Sequence, residues 1–296
     1  MVKQREALRK MLQDDKIYIL PGVFECIGAL IAEETGFPAI AVTGNGLSAS
    51  AIGMPDFGLM SMAEVVERSR LIASAVSIPV IADADTGYGG TLSVFRTVKE
   101  FEQAGLAGIH LEDQASPKKC AYYQADQKLI STDDFVAKIK AALAARQDPA
   151  FTLIIRTDAF RINGLAETID RCRRYAAAGA DALFVVGLTS LDDIRAVSAA
   201  TRIPLMVNTN DGDKLAAIPL PELRAAGVKL IAYPATVRSA MVHGVETALK
   251  ALAAKGNTND ILASLAPIPG LSKLTRLAYY QELERSLETE GRGKNP

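Results

Sequence analysis

The residues of this chain best suited to chemistry stand just after short apolar runs. VTGN ends in Thr43, Gly44 and Asn45, and IADADTGYGG supplies Asp83 and Asp85. GIHLEDQASPKKC supplies Glu112, Asp113 and later Cys120, while IIRTDA contributes Arg156 and MVNTND contributes Asn208. Asp83, Asp85, Glu112 and Asp113 would crowd one mouth, and so many carboxylates do not stay ionised together without a cation. Oxygen donors with no His or Cys pattern suit Mg²⁺ or Mn²⁺ better than zinc. The alternative is that some of these carboxylates cap helices; their grouping at matching positions favours function. Period 2 puts Asp83 and Asp85 on one side of the chain, with Ala84 facing away. Arg156 could clamp a substrate carboxylate bidentately, or pair with Asp158 or Glu112. The Gly44-Asn45-Gly46 backbone offers N–H groups to an anion.

The segment from Ala115 to Ser131 is too long and polar for a simple turn and reads as a lid. It carries Cys120 beside Lys118 and Lys119, whose charge should lower a thiol pKa, as an acid/base or nucleophilic cysteine requires. Cys26 and Cys172 sit in apolar or helical contexts and read as inert. His110, inside an apolar run, is expected to be a hydrogen-bonded core residue, and His243 a structural one.

Something must hold these groups at one end of the molecule. ETGFPAIAVTGN, QAGLAGIHLEDQ, AAGADALFVVGL and RAAGVKLIAYPA repeat one design: a helix end closed by Gly, an apolar run, then small or polar residues. Short continuous apolar runs suit strands buried on both faces. Eight strands are predicted, at 17–24, 39–43, 79–84, 108–112, 152–157, 182–187, 204–208 and 230–233. Helical patterns fill most intervals: 62–75, with Val65, Val66, Ser69 and Ile72 on one side, then 91–104, 166–178, and a helix starting at Asp133 behind Ser131 and Thr132. Strict alternation over about 250 residues predicts an α/β fold, a (β/α)₈ TIM-type barrel spanning about 17–250 in one domain of 296 residues. Extra helices follow at 257–290, where Leu271, Leu274, Leu277 and Tyr280 would share a face, and 291–296 reads as a frayed tail.

Composition excludes several classes. With 33 Lys+Arg against 34 Asp+Glu the net charge is −1, so no basic field favours nucleic acid or an anionic membrane. The longest uncharged stretch, Thr35 to Pro55, is studded with Gly, Ser and Pro and reads as strand plus glycine-rich loop, not a membrane span. Three scattered cysteines form neither a disulfide framework nor a zinc pattern, and the amphipathic start lacks a secretory core; both suit a cytoplasmic protein.

In order and spacing, VTGNGLSASAIGMPDFG, IADADTGYG, GIHLEDQASPKKC and RTDA resemble the isocitrate lyase/phosphoenolpyruvate mutase superfamily, nearest its methylisocitrate lyase and dimethylmalate lyase branches. The resemblance implies a Mg²⁺-dependent barrel enzyme acting on small 2-oxo or 2-hydroxy acids. It implies Asp85 as principal metal ligand, with Asp56, Asp83 and Glu112 holding the ion through water. Thr43, Gly44, Asn45, Arg156 and Asn208 would bind substrate, and Cys120 would be the loop acid/base. It further implies a homotetramer whose C-terminal helices are exchanged between subunits. Three positions depart from the pattern. Cys120-Ala121-Tyr122 replaces the lyases' CGH; Phe184-Val185-Val186-Gly187 lacks their strand-6 glutamate; NTND retains only Asn208 of the usual asparagine-led motif. The expected activity is carbon–carbon cleavage of a malate-like 2-hydroxy dicarboxylate through an enolate. The alternatives are decarboxylation of oxaloacetate or a related 2-oxo acid, and a binding barrel that has lost catalysis.

Overall fold

The computed structural model describes residues 2–120 and 126–292. Eight parallel strands close into a barrel in sequence order: β1 Tyr18–Val23, β2 Ile40–Val42, β3 Val80–Asp83, β4 Gly108–Glu112, β5 Thr152–Thr157, β6 Ala182–Val185, β7 Leu205–Asn208 and β8 Val228–Tyr233. β8 returns to β1 through Tyr18–Leu230 and Leu20–Ala232 pairing, which removes any free sheet edge. The predicted strands are all present, and most differ by one or two residues at the ends.

Alternation of side chains sorts each strand into an outer and an inner face. Val42, Val80, Ile109, Leu153 and Val207 pack outward with the helices, whereas Ala41, Ile81, Ile154, Phe184, Met206 and Leu230 fill the barrel interior. The helix before the first strand, α1 (Val2–Gln13), sends Leu8, Met11 and Leu12 into that same interior cluster. Its Arg5 and Arg9 anchor it to Asp148 and Asp181 at 2.9 and 2.7 Å. The N-terminal end is thereby plugged, leaving the strand C-termini to form the open mouth.

Helices α2 (Cys26–Glu34) to α9 (Leu220–Ala225) surround the barrel: α3 is Gly44–Ile52, α4 Met62–Ala75, α5 Thr91–Gln103, α6 Thr132–Ala145, α7 Ala159–Ala177 and α8 Leu191–Thr201. α4 buries Val65, Ser69 and Ile72 as the periodicity predicts, behind a capping box formed by Ser61 and Glu64. One expectation fails locally. The stretch after β2 is not a glycine-rich loop but α3. Thr43 caps its N-terminus by accepting from the Gly46 N–H, and Gly53 ends it at φ 64°, in the left-handed region. Small residues between these caps make a helix that can lie close to the site.

The chain divides into two compact units, residues 1–238 and 239–296. The second contains most of α10 (Thr236–Lys255), then α11 (Ile268–Leu274) and α12 (Leu277–Arg292). Met241, Val245, Leu249 and Leu252 form an exposed apolar stripe on α10. Leu271, Leu277 and Tyr280, expected on one face, are also exposed, and Leu274 is half-buried. Residues 293–296 of the expected tail lie outside the described residues. Among the described residues no helix is long and apolar enough to cross a membrane.

Candidate active site

At the C-terminal ends of the strands lies a cavity of about 310 Å³, within the size range of small-molecule sites. Thr43, Gly44, Asn45, Asp56, Asp83, Cys120, Arg156 and Asn208, all singled out from sequence, line it. The other two, Asp85 and Glu112, stand immediately behind, each in contact with a lining residue.

β3 places Asp83 facing inward, and the chain then turns sharply. Asp85 has φ 48°, so a left-handed residue and not a continued strand returns its carboxylate to the site. Ala84 packs outward, as alternation requires. Asp56 arrives on the segment after α3, held by Ser48, whose hydroxyl donates to the Met54 and Pro55 carbonyls at 2.9 and 3.2 Å. The approach is close enough that α3 must begin with glycine. A Cβ on Gly44 would stand 2.9 Å from an Asp83 oxygen and 3.2 Å from Lys118 Nζ.

Lys118 is the residue whose place the sequence did not reveal. Its side chain is 4% exposed, with Nζ 2.8 Å from Asp56, 2.6 Å from Asp85 and 4.0 Å from Asp83. Lys118, one of the two lysines expected to acidify Cys120, is thus engaged by the carboxylates. Burial, with the charges of Asp83 and Asp56, pushes Asp85 up to about 7 against the pull of Lys118. Burial also opposes ionisation of Asp83, but His110, then Lys118 and Arg156, and the Asp85 backbone N–H that it accepts from, hold its carboxyl below the usual range.

Glu112 and Arg156 are direct neighbours across β4 and β5. Arg156 lies 2.9 Å from Glu112 and donates to both Asp158 oxygens, at 2.9 and 3.0 Å. The pairing reading is correct, and the guanidinium still lines the cavity, packed over the Phe184 ring. Glu112 is wholly buried, its Oε1 has no hydrogen-bond partner, and burial raises its pKa well above the ordinary carboxylate range.

Two sequence expectations are corrected, those for Asp113 and His110. Asp113 does not join the mouth: it is buried on the far side, accepting from Thr157 Oγ1 (2.6 Å), Tyr175 Oη (2.9 Å) and Arg171 (3.3 Å). His110 is no mere core residue. It lines the cavity with Nδ1 3.4 Å from Asp83, and burial lowers its pKa to about 4, so the ring is neutral at pH 7. Its signal was present, since His110 lies two residues before Glu112 and shares its inward face. His243 is exposed. Cys172 is buried, as expected, and burial pushes its thiol up to about 12.

The lid is anchored where it leaves the barrel. Gln114 and Leu129 form an antiparallel bridge, Ala115 N–H donates to the Lys128 carbonyl at 2.7 Å, and Cys120 N–H donates to the Asp56 carbonyl at 3.2 Å. Cys120 Sγ then sits 3.7 Å from Asn45 Nδ2. Ala121 and Tyr122, where the motif departs from CGH, lie outside the described residues. On the opposite wall β6 is in the expected register. Phe184 and Val186 face the cavity, while Val185 faces the helices.

Among the described residues no three acidic, His or Cys side chains already form a metal cage. The donor set nevertheless fits a hard divalent cation. Asp56, Asp83, Asp85 and Glu112 are all buried oxygen donors, and Glu112 retains an unpartnered oxygen.

The family model for phosphoenolpyruvate phosphomutase matches residues 8–253. A 2-methylisocitrate lyase of Aeropyrum pernix is 39% identical over 258 residues, 87% of this chain and 82% of the relative. The 2,3-dimethylmalate lyase of Eubacterium barkeri is 33% identical over 95% of this chain and 97% of the relative. A crystal structure of phosphonopyruvate hydrolase complexed with oxalate and Mg²⁺ superposes with TM-score 0.84 at 30% identity, covering 98% of each chain. These relatives make the chain an enzyme of the carbon–carbon lyase type. A match spanning the barrel, with relatives 39% and 33% identical over most of both chains, shows that the chain belongs to the phosphoenolpyruvate phosphomutase family of the isocitrate lyase/PEP mutase superfamily.

Proposed function

We propose that this enzyme is a Mg²⁺- or Mn²⁺-dependent lyase that cleaves a small malate-like 2-hydroxy dicarboxylate. One observation carries the choice: Cys120 Sγ reaches the same cavity as Arg156 and the carboxylate cluster, 3.7 Å from Asn45. Cleaving such an acid takes the proton from the 2-hydroxyl, breaks the bond between C2 and C3, and returns a proton to the carbanion carbon. Asp85, with Asp56, Asp83 and Glu112, would hold the cation, which supplies Lewis-acid stabilisation of the developing negative charge.

The chain's own groups do the rest. The backbone amides at the start of α3 and the Arg156 guanidinium orient the substrate carboxylate. Asn208 bonds the substrate from β7. The Cys120 thiol delivers the proton to the carbanion. Phe184, Val186 and Met206 give one wall an apolar surface that excludes water.

Val186 supports a second reading. Decarboxylation of a 2-oxo diacid needs neither a polar group at this position nor a strong loop acid. Assays of isocitrate, methylisocitrate, dimethylmalate, citramalate and oxaloacetate, with Mg²⁺ and with EDTA, separate the readings. The expected result is metal-dependent cleavage of the smaller or alkyl-substituted acids, with little turnover of isocitrate or methylisocitrate. A site built without a polar partner does not favour a substrate that needs one. Methylisocitrate cleavage near a kcat/KM of about 10⁴ M⁻¹s⁻¹, or full activity in EDTA, refutes this reading. The exposed stripes on α10 and α12 support assembly with further copies of the chain as a tetramer, and three free cysteines suit the cytoplasm.

A further inference from the structure

Lys118, Lys119 and Cys120 are consecutive, and each is held at the mouth in a different way. Lys118 reaches Asp56 and Asp85 through its ammonium, and Cys120 N–H donates to the Asp56 carbonyl at 3.2 Å. Lys119, between them, is held through its backbone. Its N–H donates to Gln114 Oε1 at 3.0 Å, and its carbonyl accepts from Gln127 Nε2 at 2.9 Å. The outer two attachments end on candidate metal ligands, so they answer to whichever cation the carboxylates hold. The glutamine pair does not involve those residues.

Both glutamines stand on the base of the lid. Gln114 follows the end of β4, pairs with Leu129 in the antiparallel bridge, and is 1% exposed. Gln127 lies on the returning leg, just before Leu129, and is half-buried. Backbone bonds from Ala115 to Lys128 and from Ile130 to Asp113, at 2.7 and 3.0 Å, tie the two legs together. Lys119 is thus gripped from both legs, next to the residue that carries the thiol. Burial of Gln114 has a cost that packing does not explain. Lys119 N–H can only donate, which fixes Oε1 on that side, and Nε2 is left buried with no hydrogen-bond partner among the described residues. An unpaired buried donor is destabilising, whereas an apolar side chain of the same shape is not. The bond to Lys119 explains a glutamine here.

We infer that Gln114 and Gln127 are positioning residues for Cys120: by clamping the Lys119 backbone from both sides they set where the thiol enters the cavity. This rests on the functional reading above, in which Cys120 protonates the carbanion, and deepens it. The carbonyl that Gln127 holds belongs to the same planar peptide unit as Cys120 N–H, so little backbone freedom separates the clamp from the thiol. Proton delivery demands that closeness, since a misplacement of about 1 Å can cost about 10²-fold in rate.

The test compares wild type with three variants. Gln114→Met keeps the shape and removes the acceptor, Gln127→Glu keeps the size and removes the donor, and Gln127→Lys restores a donor. Turnover of the fastest acid in the panel is measured at saturating Mg²⁺. The rate of Cys120 alkylation by iodoacetamide is read by peptide mass spectrometry, with Cys26 as internal reference. Gln114→Met and Gln127→Glu should lower kcat by about 10–100-fold and leave KM within about threefold, the pattern of a misplaced proton donor. Cys120 alkylation should rise by about 3–10-fold, the population change set by one lost hydrogen bond. Gln127→Lys should recover part of both effects. Gln114→Met should melt no lower than wild type, an outcome that a glutamine serving stability alone does not give. In a Cys120→Ala background neither substitution should lower kcat further, because the clamp acts through the thiol. Unaltered Cys120 alkylation in both Gln114→Met and Gln127→Glu overturns the inference, and so does an equal loss of kcat in the Cys120→Ala background. Should Gln114→Met fold poorly, the variants of half-buried Gln127 decide the question. If wild type turns over no acid in the panel, the functional reading fails on its own, while the alkylation rates still decide whether the glutamines hold Cys120 in place.

Discussion

Replacing Lys118 by Met would expose how the acidic cluster is held together. The thioether preserves most of the stem's packing and removes only the ammonium, which lies 2.6 Å from Asp85 and 2.8 Å from Asp56 at 4% exposure. Without a metal, the variant leaves several buried carboxylates short of a compensating charge. Breaking a buried ion pair by removing one partner costs about 3–5 kcal/mol. At about 2–4 °C per kcal/mol for a chain approaching this size, the melting temperature in EDTA should fall by about 6–20 °C. Mg²⁺ should reverse much of this, since a ligand at a hundred times its dissociation constant adds about 2.7 kcal/mol. In wild type the ion must share the carboxylates with the ammonium, so its stabilising effect should be smaller there than in Lys118→Met. Differential scanning calorimetry in EDTA and in graded Mg²⁺ reads both differences. A variant melting within about 2 °C of wild type in EDTA, or an identical Mg²⁺ response in both proteins, would show that the carboxylates neither need Lys118 nor share a cation site with it.

Three further outcomes follow from the geometry. Cys120→Ser should lower turnover by roughly 10²–10⁴-fold, the range for a positioned acid/base group, with a smaller change in KM; decarboxylation untouched by the substitution would favour the alternative reaction. Asp113→Ala should lower urea-unfolding stability by about 3–5 kcal/mol, because Arg171 loses a buried partner, while the metal dependence of any remaining activity is unchanged; a shifted metal requirement would return Asp113 to the mouth. Cys172 gives a pH signature. Its folded thiol titrates near 12 and the unfolded one near 8.5, so its contribution is intact below about 8.5 and lost as pH rises toward 12. Between pH 8 and 10.5 wild type should therefore lose about 2–3 kcal/mol more stability than Cys172→Ala; parallel losses in urea titrations would refute the assignment.

The barrel was legible because each strand is a short apolar run with a helix-closing glycine before it or a polar cluster after it. Asp83, Glu112 and Arg156 were legible for the same reason: a strand's period of 2 fixes which side chains look inward. The reading weakened where chain geometry departs from that period. Asp85 reaches the site through a left-handed turn, not through strand alternation. Asp113 follows Glu112 directly and so faces the opposite way, which the count of acids alone concealed. The glycine-rich stretch after β2 resembles a loop in composition, but its caps, Thr43 and Gly53, make it a helix. Lys118 carried no usable signal. Its destination depends on how an irregular segment folds back over the mouth, and on a demand for positive charge set by residues 33 to 62 positions earlier.

The distribution of these groups separates reaction from selection. The four carboxylates, the α3 amides and Arg156 come from β2 to β5 and the segments that follow them. Each is constrained by the others: Gly44 by Asp83 and Lys118, Arg156 by Glu112 and Asp158, Asp56 by Lys118 and the lid backbone. A change in any one disturbs charges buried together, so this half tolerates little variation. The β6–β8 wall is built differently. Val186 and Met206 make no polar commitment there, and Arg161 reaches the cavity over a glycine from outside the barrel. Such a wall can exchange a carboxylate for an apolar residue, or gain an arginine, without altering the charge balance at the other end. That independence gives a physical reason for one scaffold to hold a constant reaction centre while its substrate changes, and it locates the departure at Val186 on the side of selection.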